Sequence, residues 1–224
     1  MSKAFTATVA YSSAYLVLGL ACLIQWGSSD PWSRLNLFAL SYFALRTVGS
    51  IHSLVSSREV FRSKPVRREW WALNSDPNGI KWVVGLMLAD LLVLLDYGHW
   101  HIASFLARPL LQSIGIAIYV AVVACQMWTD TYLASYFRRA QRELRPMDEG
   151  PYSFVRHPRY AAAIAGKVAF ALIFASILGW AMVLAWGVLN LRKVEIEEAH
   201  LRRLFGESYE AYEQRTAKLL PGVY

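Results

Sequence analysis

Long apolar blocks, separated by polar and basic segments, run along the whole chain. The blocks cover roughly residues 5–26, 35–55, 80–97, 109–129, 160–176 and 178–191. Most of them match the ~20 apolar residues that a helix needs to cross a bilayer, and the last two form a tight hairpin around residues 176–179. The pattern predicts an all-α, polytopic membrane protein with about six membrane helices, which include a C-terminal helical hairpin, followed by a cytoplasmic C-terminal helix.

The positions of the basic residues orient these helices. Of the 23 Lys and Arg residues, nineteen fall in segments on the side of both termini. Only Arg34 and Arg108 fall on the opposite side, and Arg46 and Lys167 lie within the apolar blocks. The positive-inside rule therefore places both termini in the cytoplasm, and no cleavable signal peptide is expected. The predicted location is the inner membrane of a bacterium or the endoplasmic reticulum of a eukaryote.

The formal charge of +7 bears on the partners of the chain. Since the basic residues follow the topology, their excess fits attraction to anionic headgroups. The lipid bilayer is the expected partner, and nucleic acid is not.

Three charged residues lie well inside the apolar blocks. Arg46 and Asp90 each fall near the middle of a predicted helix, where a lone charge is costly, so mutual pairing is the economical interpretation. A role in a substrate pathway is the alternative. Lys167 lies seven residues after Tyr160 and shares its helix face, which points either into a ligand cavity or towards the interface.

Residues 96–101 read Asp-Tyr-Gly-His-Trp-His and offer a carboxylate and imidazoles close together. This segment falls on the predicted non-cytoplasmic side, away from the other polar clusters. An exposed loop is the preferred interpretation, and no metal site is predicted.

A basic and aromatic cluster follows a turn at residues 150–151, which read Gly-Pro. Pro158 can form the first turn of the next helix, whose free N–H groups favour an anion. Arg156 and His157 add donors beside that helix start. Tyr152 and Tyr160 supply aromatic faces that can accept a cation.

A second cluster, acidic, lies about forty residues later. Glu195 and Glu198 are three apart on a helix, while Glu197 points elsewhere. An acidic pair can receive an ammonium group or ribose hydroxyls, so the two clusters together suit a zwitterion with an extra cationic centre, such as S-adenosylmethionine. The same glutamates could instead form interfacial salt bridges with basic side chains, namely Arg156, Arg159 or Lys193.

These motifs resemble a known family of integral-membrane enzymes, the isoprenylcysteine carboxyl methyltransferases and phospholipid methyltransferases. The resemblance covers about residues 145–224 and rests on Gly150-Pro151-Tyr152, Arg156-His157-Pro158-Arg159-Tyr160, Glu197-Glu198, Leu201, Phe205-Gly206, Tyr209 and Tyr212. It implies S-adenosylmethionine as cofactor. It also implies a helical fold in which a C-terminal helix covers the cofactor.

The resemblance also implies roles for individual residues. Glu198 and Arg156 are the candidate catalytic residues. The candidate cofactor-binding residues are Tyr152, His157, Pro158, Tyr160, Glu197, Glu198, Tyr209 and Tyr212. Two positions depart from the family pattern: Ala162 replaces a frequent Gly, and Lys193 replaces a frequent Arg, which loses bidentate recognition of a carboxylate.

The predicted function is methyl transfer from S-adenosylmethionine to a lipophilic acceptor. An isoprenylcysteine-type carboxylate, a phospholipid amine and a small thiol all remain open as that acceptor. A sterol-type membrane reductase that uses NADPH, and a non-catalytic membrane protein, are the alternatives. We expect residues 1–129 to form the acceptor-side helices and residues 130–224 to form the cofactor-binding region.

Overall fold

The computed structural model describes residues 3–24, 29–30, 36–62, 79–102, 109–139 and 145–222. Its helices are α1 (Lys3–Leu23), α2 (Leu37–Arg62), α3 (Gly79–Leu95), α4 (Pro109–Arg139), α5 (Pro158–Ile173), α6 (Ile177–Phe205) and α7 (Glu207–Arg215). A π-helical turn spans Asp96–Trp100 and a 3-10 turn spans Gly150–Ser153. Within these ranges the only β pairing is an isolated parallel bridge, so the all-α prediction is confirmed for them.

Among the residues that the structure describes, two helical stretches are long and apolar enough to cross a membrane by length and composition, Pro109–Tyr136 in α4 and Ile177–Phe205 in α6. At a rise of about 1.5 Å per residue, the 29 residues of α6 exceed the roughly 30 Å hydrocarbon core of a bilayer. One end of α6 can therefore project into water. The six crossings remain a prediction.

The core is aromatic and lies where α2, α4 and α5 meet. The ring of Tyr42 packs at centroid distances of 4.8 Å from Tyr119 and 5.4 Å from Phe170. These three side chains are all buried. Gly115 permits the close approach of α4 to α5, because a Cβ there would lie 2.8 Å from Ile173 Cγ1. The bundle thus holds α5, which carries the motif residues, against α4 and α2.

The turn between α5 and α6 differs slightly from the expected position. The hairpin turns at residues 174–176, where Ala175 adopts a positive φ of 47°. Ser176 caps α6, because its hydroxyl accepts a hydrogen bond from the backbone N–H of Gly179. The antiparallel hairpin of α5 and α6 returns the second polar cluster to the level of the first.

The linker at residues 130–149 is rich in Arg and Glu, a composition that predicts an amphipathic helix along the membrane surface. The structure instead continues α4 without interruption to Arg139, so the first part of the linker belongs to the long helix. Residues 145–149, which precede the 3-10 turn, are not helical. Since the linker's first residues include no Gly or Pro, nothing in them ends the helix.

The intramembrane ion pair has a different partner from the predicted one. Lys167 Nζ lies 2.5 Å from both carboxylate oxygens of Asp90 and thereby joins α5 to α3. Arg46 stacks its guanidinium 3.8 Å from the ring centroid of Tyr15 and donates to the hydroxyl of Tyr42. The Arg46–Asp90 pair was therefore the wrong assignment: Asp90 pairs with Lys167, whose direction the sequence left open.

The segment 96–101 is also different from the exposed loop that was expected. Asp96, Tyr97 and Gly98 are buried in the π-helical turn. Asp96 accepts a hydrogen bond from the backbone N–H of Ile102, and the hydroxyl of Tyr97 accepts one from Asn36. The carboxylate stabilises the end of the helix. Among the described residues, no group of His, Cys, Asp and Glu side chains could hold a metal ion.

Candidate functional site

The approach to the site begins at the turn that follows the linker. Gly150 has a φ of +60°, in the left-handed region, and a Cβ there would lie 2.7 Å from the ring of Tyr132. Both observations require glycine. Pro151 is buried in the 3-10 turn that follows, and Tyr152 is half-buried. The turn directs the chain towards the start of α5.

The start of α5 positions His157. Pro158 occupies the first turn of the helix, as predicted, and the carbonyl of His157 accepts hydrogen bonds from the N–H groups of Tyr160 and Ala161. The imidazole is 4 % exposed and packs edge-on against the ring of Tyr160 at 5.7 Å. The side chain of His157 is thereby fixed at the N-terminal end of the helix.

The carboxylate of Glu198, on α6, is the centre of the site and is only 1 % exposed. Its Oε1 lies 2.9 Å from Arg156 Nε and 3.2 Å from His157 Nε2. A buried carboxylate is costly unless it is paired and hydrogen-bonded. The two donors stabilise its ionised form.

The other oxygen of Glu198 faces two further cations. Oε2 lies 3.4 Å from Arg202 Nη2 and 3.4 Å from Lys218 Nζ. Arg202 comes from the next turn of α6 and also binds Glu213 with two hydrogen bonds of 2.7 and 2.8 Å. Glu198 therefore carries its negative charge inside a ring of basic groups.

The chain after α6 folds back over this ring. We call α7 together with residues 216–219 the C-terminal strap. The N–H groups of Arg156 and His157 donate to the carbonyls of Ala217 and Lys218 at 2.8 and 3.1 Å. Arg156 Nη1 donates to the carbonyls of Glu213 and Thr216. The strap carbonyls thus accept hydrogen bonds from Arg156 and His157, the donors for which the sequence predicted an anionic partner.

Two strap tyrosines close the site from the other side. Tyr209 and Tyr212 are 2 % and 3 % exposed, with ring centroids 5.8 Å apart. Tyr212 donates its hydroxyl to the carbonyl of Tyr152 at 2.7 Å, which joins the strap to the 3-10 turn. The hydroxyl of Tyr209 is buried and has no hydrogen-bond partner among the described residues. Such an orphaned donor can satisfy a ligand.

Burial raises the pKa of the Tyr209 hydroxyl, and the nearby carboxylate of Glu198 raises it further. Burial also raises the pKa of Tyr152 and of Tyr212, although neighbouring arginines oppose the shift. All three side chains are therefore neutral hydroxyl groups at physiological pH. They can donate hydrogen bonds and present aromatic faces.

The structure brings most of the predicted residues together. Arg156, His157 and Pro158 lie at the start of α5, opposite Glu198 on α6, with Tyr209 and Tyr212 against them. Glu197 is half-buried and lies close enough to Tyr152 and Tyr160 to affect the ionisation of both. The predicted cofactor-binding set is thus one cluster in space, although the binding roles themselves remain predictions.

Two parts of the sequence interpretation need correction. Glu195 is exposed, so the acidic residue that joins Glu198 on the site side is Glu197. Lys218 approaches the central carboxylate, but nothing in the sequence indicated it. Of the two departures from the family pattern, Ala162 is buried at 5 % exposure and Lys193 is exposed.

Comparison with known proteins agrees with the motif. Residues 103–208 match the sequence model of a protein family described as phospholipid methyltransferase. The match confirms the resemblance. It begins before α4 and so includes the whole of that helix, and it ends just before Tyr209. No curated protein matches the chain. The protein is thus helical in its described residues, with two membrane-length helices, and its region over α4, α5 and α6 is similar to a methyltransferase family.

Proposed function

We propose that this protein transfers a methyl group from S-adenosylmethionine to a lipophilic acceptor at the cytoplasmic surface of a membrane. The observation that carries the proposal is the buried carboxylate of Glu198, held by Arg156 and His157 beside the unpartnered hydroxyl of Tyr209. These groups, apart from Tyr209, lie within the region that matches a methyltransferase family.

The chemistry of the site suits the cofactor. The Glu198 carboxylate would attract an ammonium group, and the Tyr209 hydroxyl would hydrogen-bond to a polar atom of the nucleoside. The aromatic faces of Tyr152 and Tyr160 favour a cationic centre. When bound, S-adenosylmethionine supplies an electrophilic methyl group on a sulfonium sulfur.

The contribution of the chain to the reaction is positioning and exclusion of water. Arg156 donates hydrogen bonds to Glu198 and to two strap carbonyls, so its role is to hold the strap in place and to orient the carboxylate. Glu198 lies among three cationic side chains, and this environment disfavours uptake of a proton. We therefore assign Glu198 to cofactor binding and not to base catalysis.

The acceptor would reach the site from the bilayer. The exposed faces of α4 and α6 are apolar, with Leu184, Val188 and Val120 pointing outward. A lipid-linked carboxylate or thiolate would need no general base, whereas an amine would lose its proton to water or to a group outside the site. These three acceptor classes remain the candidates.

Titration of the purified, detergent-solubilised protein with S-adenosylhomocysteine and with NADPH tests the proposal. We expect saturable binding of S-adenosylhomocysteine, which weakens in Glu198→Gln and His157→Ala. Arg203→Met is the matched control, because Arg203 is exposed on the same helix. Binding of NADPH alone would instead indicate a reductase. Incubation of membranes with isotope-labelled S-adenosylmethionine, followed by mass spectrometry, identifies the methylated product.

A further inference from the structure

Arg159 is a cation that lies outside the ring of basic groups around Glu198. Its side chain is 47 % exposed, and its Nε lies 3.3 Å from Asp130 Oδ1, on α4. Within the described part of the chain, Asp130 is the one side chain that pairs with it. A guanidinium has five N–H donors, and a bidentate carboxylate engages two of them, so donors remain for a second anion.

Asp130 sets the direction in which Arg159 points. The aspartate side chain is 10 % exposed, so its carboxylate holds the guanidinium from the α4 side. His157, two positions earlier in the chain, instead contacts Glu198 on α6. Arg159 therefore lies on the α4 side of the helix start, away from the carboxylate that we assign to the cofactor.

The lipid-facing stripe of α4 ends beside this arginine. Exposed apolar side chains recur along the helix from Leu110 to Trp128. At a rise of about 1.5 Å per residue this stripe is about 27 Å long, close to the roughly 30 Å hydrocarbon core of a bilayer. The Trp128 ring packs 6.3 Å from the exposed ring of Phe154, as aromatic side chains do at a membrane interface. Asp130 follows Trp128 by two residues, so Arg159 falls at the level of the lipid headgroups.

The same arginine borders the candidate cofactor site. Burial raises the pKa of the Tyr152 hydroxyl and the charge of Arg159 lowers it, so the guanidinium lies near that residue. Tyr152 is joined to the C-terminal strap by the hydrogen bond from Tyr212. Arg159 thus lies between the membrane-facing side of α4 and the cluster that contains Glu198, where a lipid acceptor has to meet the cofactor.

We propose that Arg159 binds an oxyanion of the lipid acceptor and holds the acceptor at headgroup level, with its apolar part along α4. This inference rests on the proposed function. The oxyanion is the carboxylate of an isoprenylcysteine-type acceptor or the phosphodiester of a phospholipid, since both groups accept paired hydrogen bonds from a planar guanidinium. A small thiol has no such group, so Arg159 selects against it.

Replacement of Arg159 should weaken acceptor binding and leave cofactor binding unchanged. Arg159→Gln removes the charge but keeps an N–H donor for Asp130. We measure methyl transfer to N-acetyl-S-farnesylcysteine, to dioleoylphosphatidylethanolamine and to dodecanethiol. The KM of an oxyanion-bearing acceptor should rise about tenfold, while kcat and the Kd of S-adenosylhomocysteine stay constant.

Two further variants sharpen this measurement. Arg159→Lys keeps the charge but not the planar fork, so its KM should fall between those of wild type and Arg159→Gln. Arg203→Met removes an exposed charge on α6 and should change none of the three constants. Preferred methylation of dodecanethiol, or a KM for the oxyanion-bearing acceptors that Arg159→Gln leaves unchanged, would overturn the inference.

Chemical modification of the wild type tests the same contact without turnover. Phenylglyoxal modifies accessible arginines, and mass spectrometry reads each of them separately. With S-adenosylhomocysteine bound, N-acetyl-S-farnesylcysteine or dioleoylphosphatidylethanolamine should slow the modification of Arg159, and dodecanethiol should not. Arg203 is the internal control and should react at the same rate throughout. Protection by the first probe alone assigns the carboxylate, and protection by the second alone assigns the phosphodiester.

The remaining outcomes separate this inference from the proposed function. Modification of Arg159 that neither oxyanion probe slows would overturn the inference. Weaker binding of S-adenosylhomocysteine by Arg159→Gln would assign the arginine to the carboxylate of the cofactor, and would overturn it as well. Failure of the wild type to bind S-adenosylhomocysteine would instead contradict the proposed function.

Discussion

Arg156 and Glu198 lie 42 positions apart in sequence, yet Arg156 Nε donates to Glu198 Oε1 at 2.9 Å, with the two side chains 10 % and 2 % exposed. The pair joins the start of α5 to the far end of α6. The same guanidinium donates to main-chain carbonyls of the C-terminal strap. One arginine thus links three segments around the candidate site.

Arg156→Lys should loosen the strap, because one ammonium cannot replace a planar fork that bonds in several directions. We expect the free energy of unfolding in detergent to fall by about 2 kcal/mol, since hydrogen bonds to a charged group are lost. Amide exchange at His157, whose N–H bonds to the strap, should become faster. Arg159→Lys is the control, because Arg159 is 47 % exposed and pairs with Asp130. Unchanged exchange at His157 would rule out the linking role.

The hydroxyls of Tyr209 and Tyr212 should behave differently on removal. Tyr212→Phe loses the hydrogen bond to the Tyr152 carbonyl and should cost about 1 kcal/mol of stability. Tyr209→Phe removes a buried hydroxyl without a partner among the described residues, so stability should be equal or higher. Its effect should fall on S-adenosylhomocysteine affinity, measured by titration. A Tyr209→Phe variant that binds as tightly as wild type would place the cofactor away from this hydroxyl.

The ion pair between Asp90 and Lys167 should show strong coupling. Asp90→Asn and Lys167→Met each leave one buried group without its partner, and each should cost about 3–5 kcal/mol. The double variant Asp90→Asn with Lys167→Met removes both charges and should be less destabilised than the sum of the singles. Thermal unfolding in detergent of the wild type, both single variants and the double variant gives the coupling free energy of the pair.

A surface pair provides the comparison for that cycle. Arg145 and Glu149 form an ion pair with side chains 63 % and 51 % exposed. Arg145→Ala should cost only about 0–1 kcal/mol, because exposed pairs contribute little. Additive losses for Asp90 and Lys167 would mean that the two side chains are not energetically paired.

The sequence predicted the parts of this molecule that depend on local pattern. Pro158 marks the start of α5, and the spacing of His157 and Glu198 around an apolar hairpin brings them together. It did not predict Lys218, because the strap docks through the carbonyls of residues 216–218, and main-chain acceptors carry no sequence signal. The sequence likewise placed Asp90 near the middle of a helix but left the direction of Lys167 open, because the choice of partner depends on how the helices pack.

Gly150→Ala should be the most destabilising glycine-to-alanine substitution near the site. Gly150 combines a φ of +60° with a Cβ position 2.7 Å from the ring of Tyr132, so strain and a clash act together. We expect a loss of about 1–3 kcal/mol and weaker S-adenosylhomocysteine binding, since the turn positions Arg156. Gly187→Ala is the matched control. Gly187 lies inside α6, and a Cβ there would have nothing within 4 Å. The higher helix propensity of Ala should therefore raise the free energy of unfolding by about 0.5–1 kcal/mol. Thermal unfolding and ligand titration of both variants check the contrast, and equal behaviour would show that the turn tolerates a side chain.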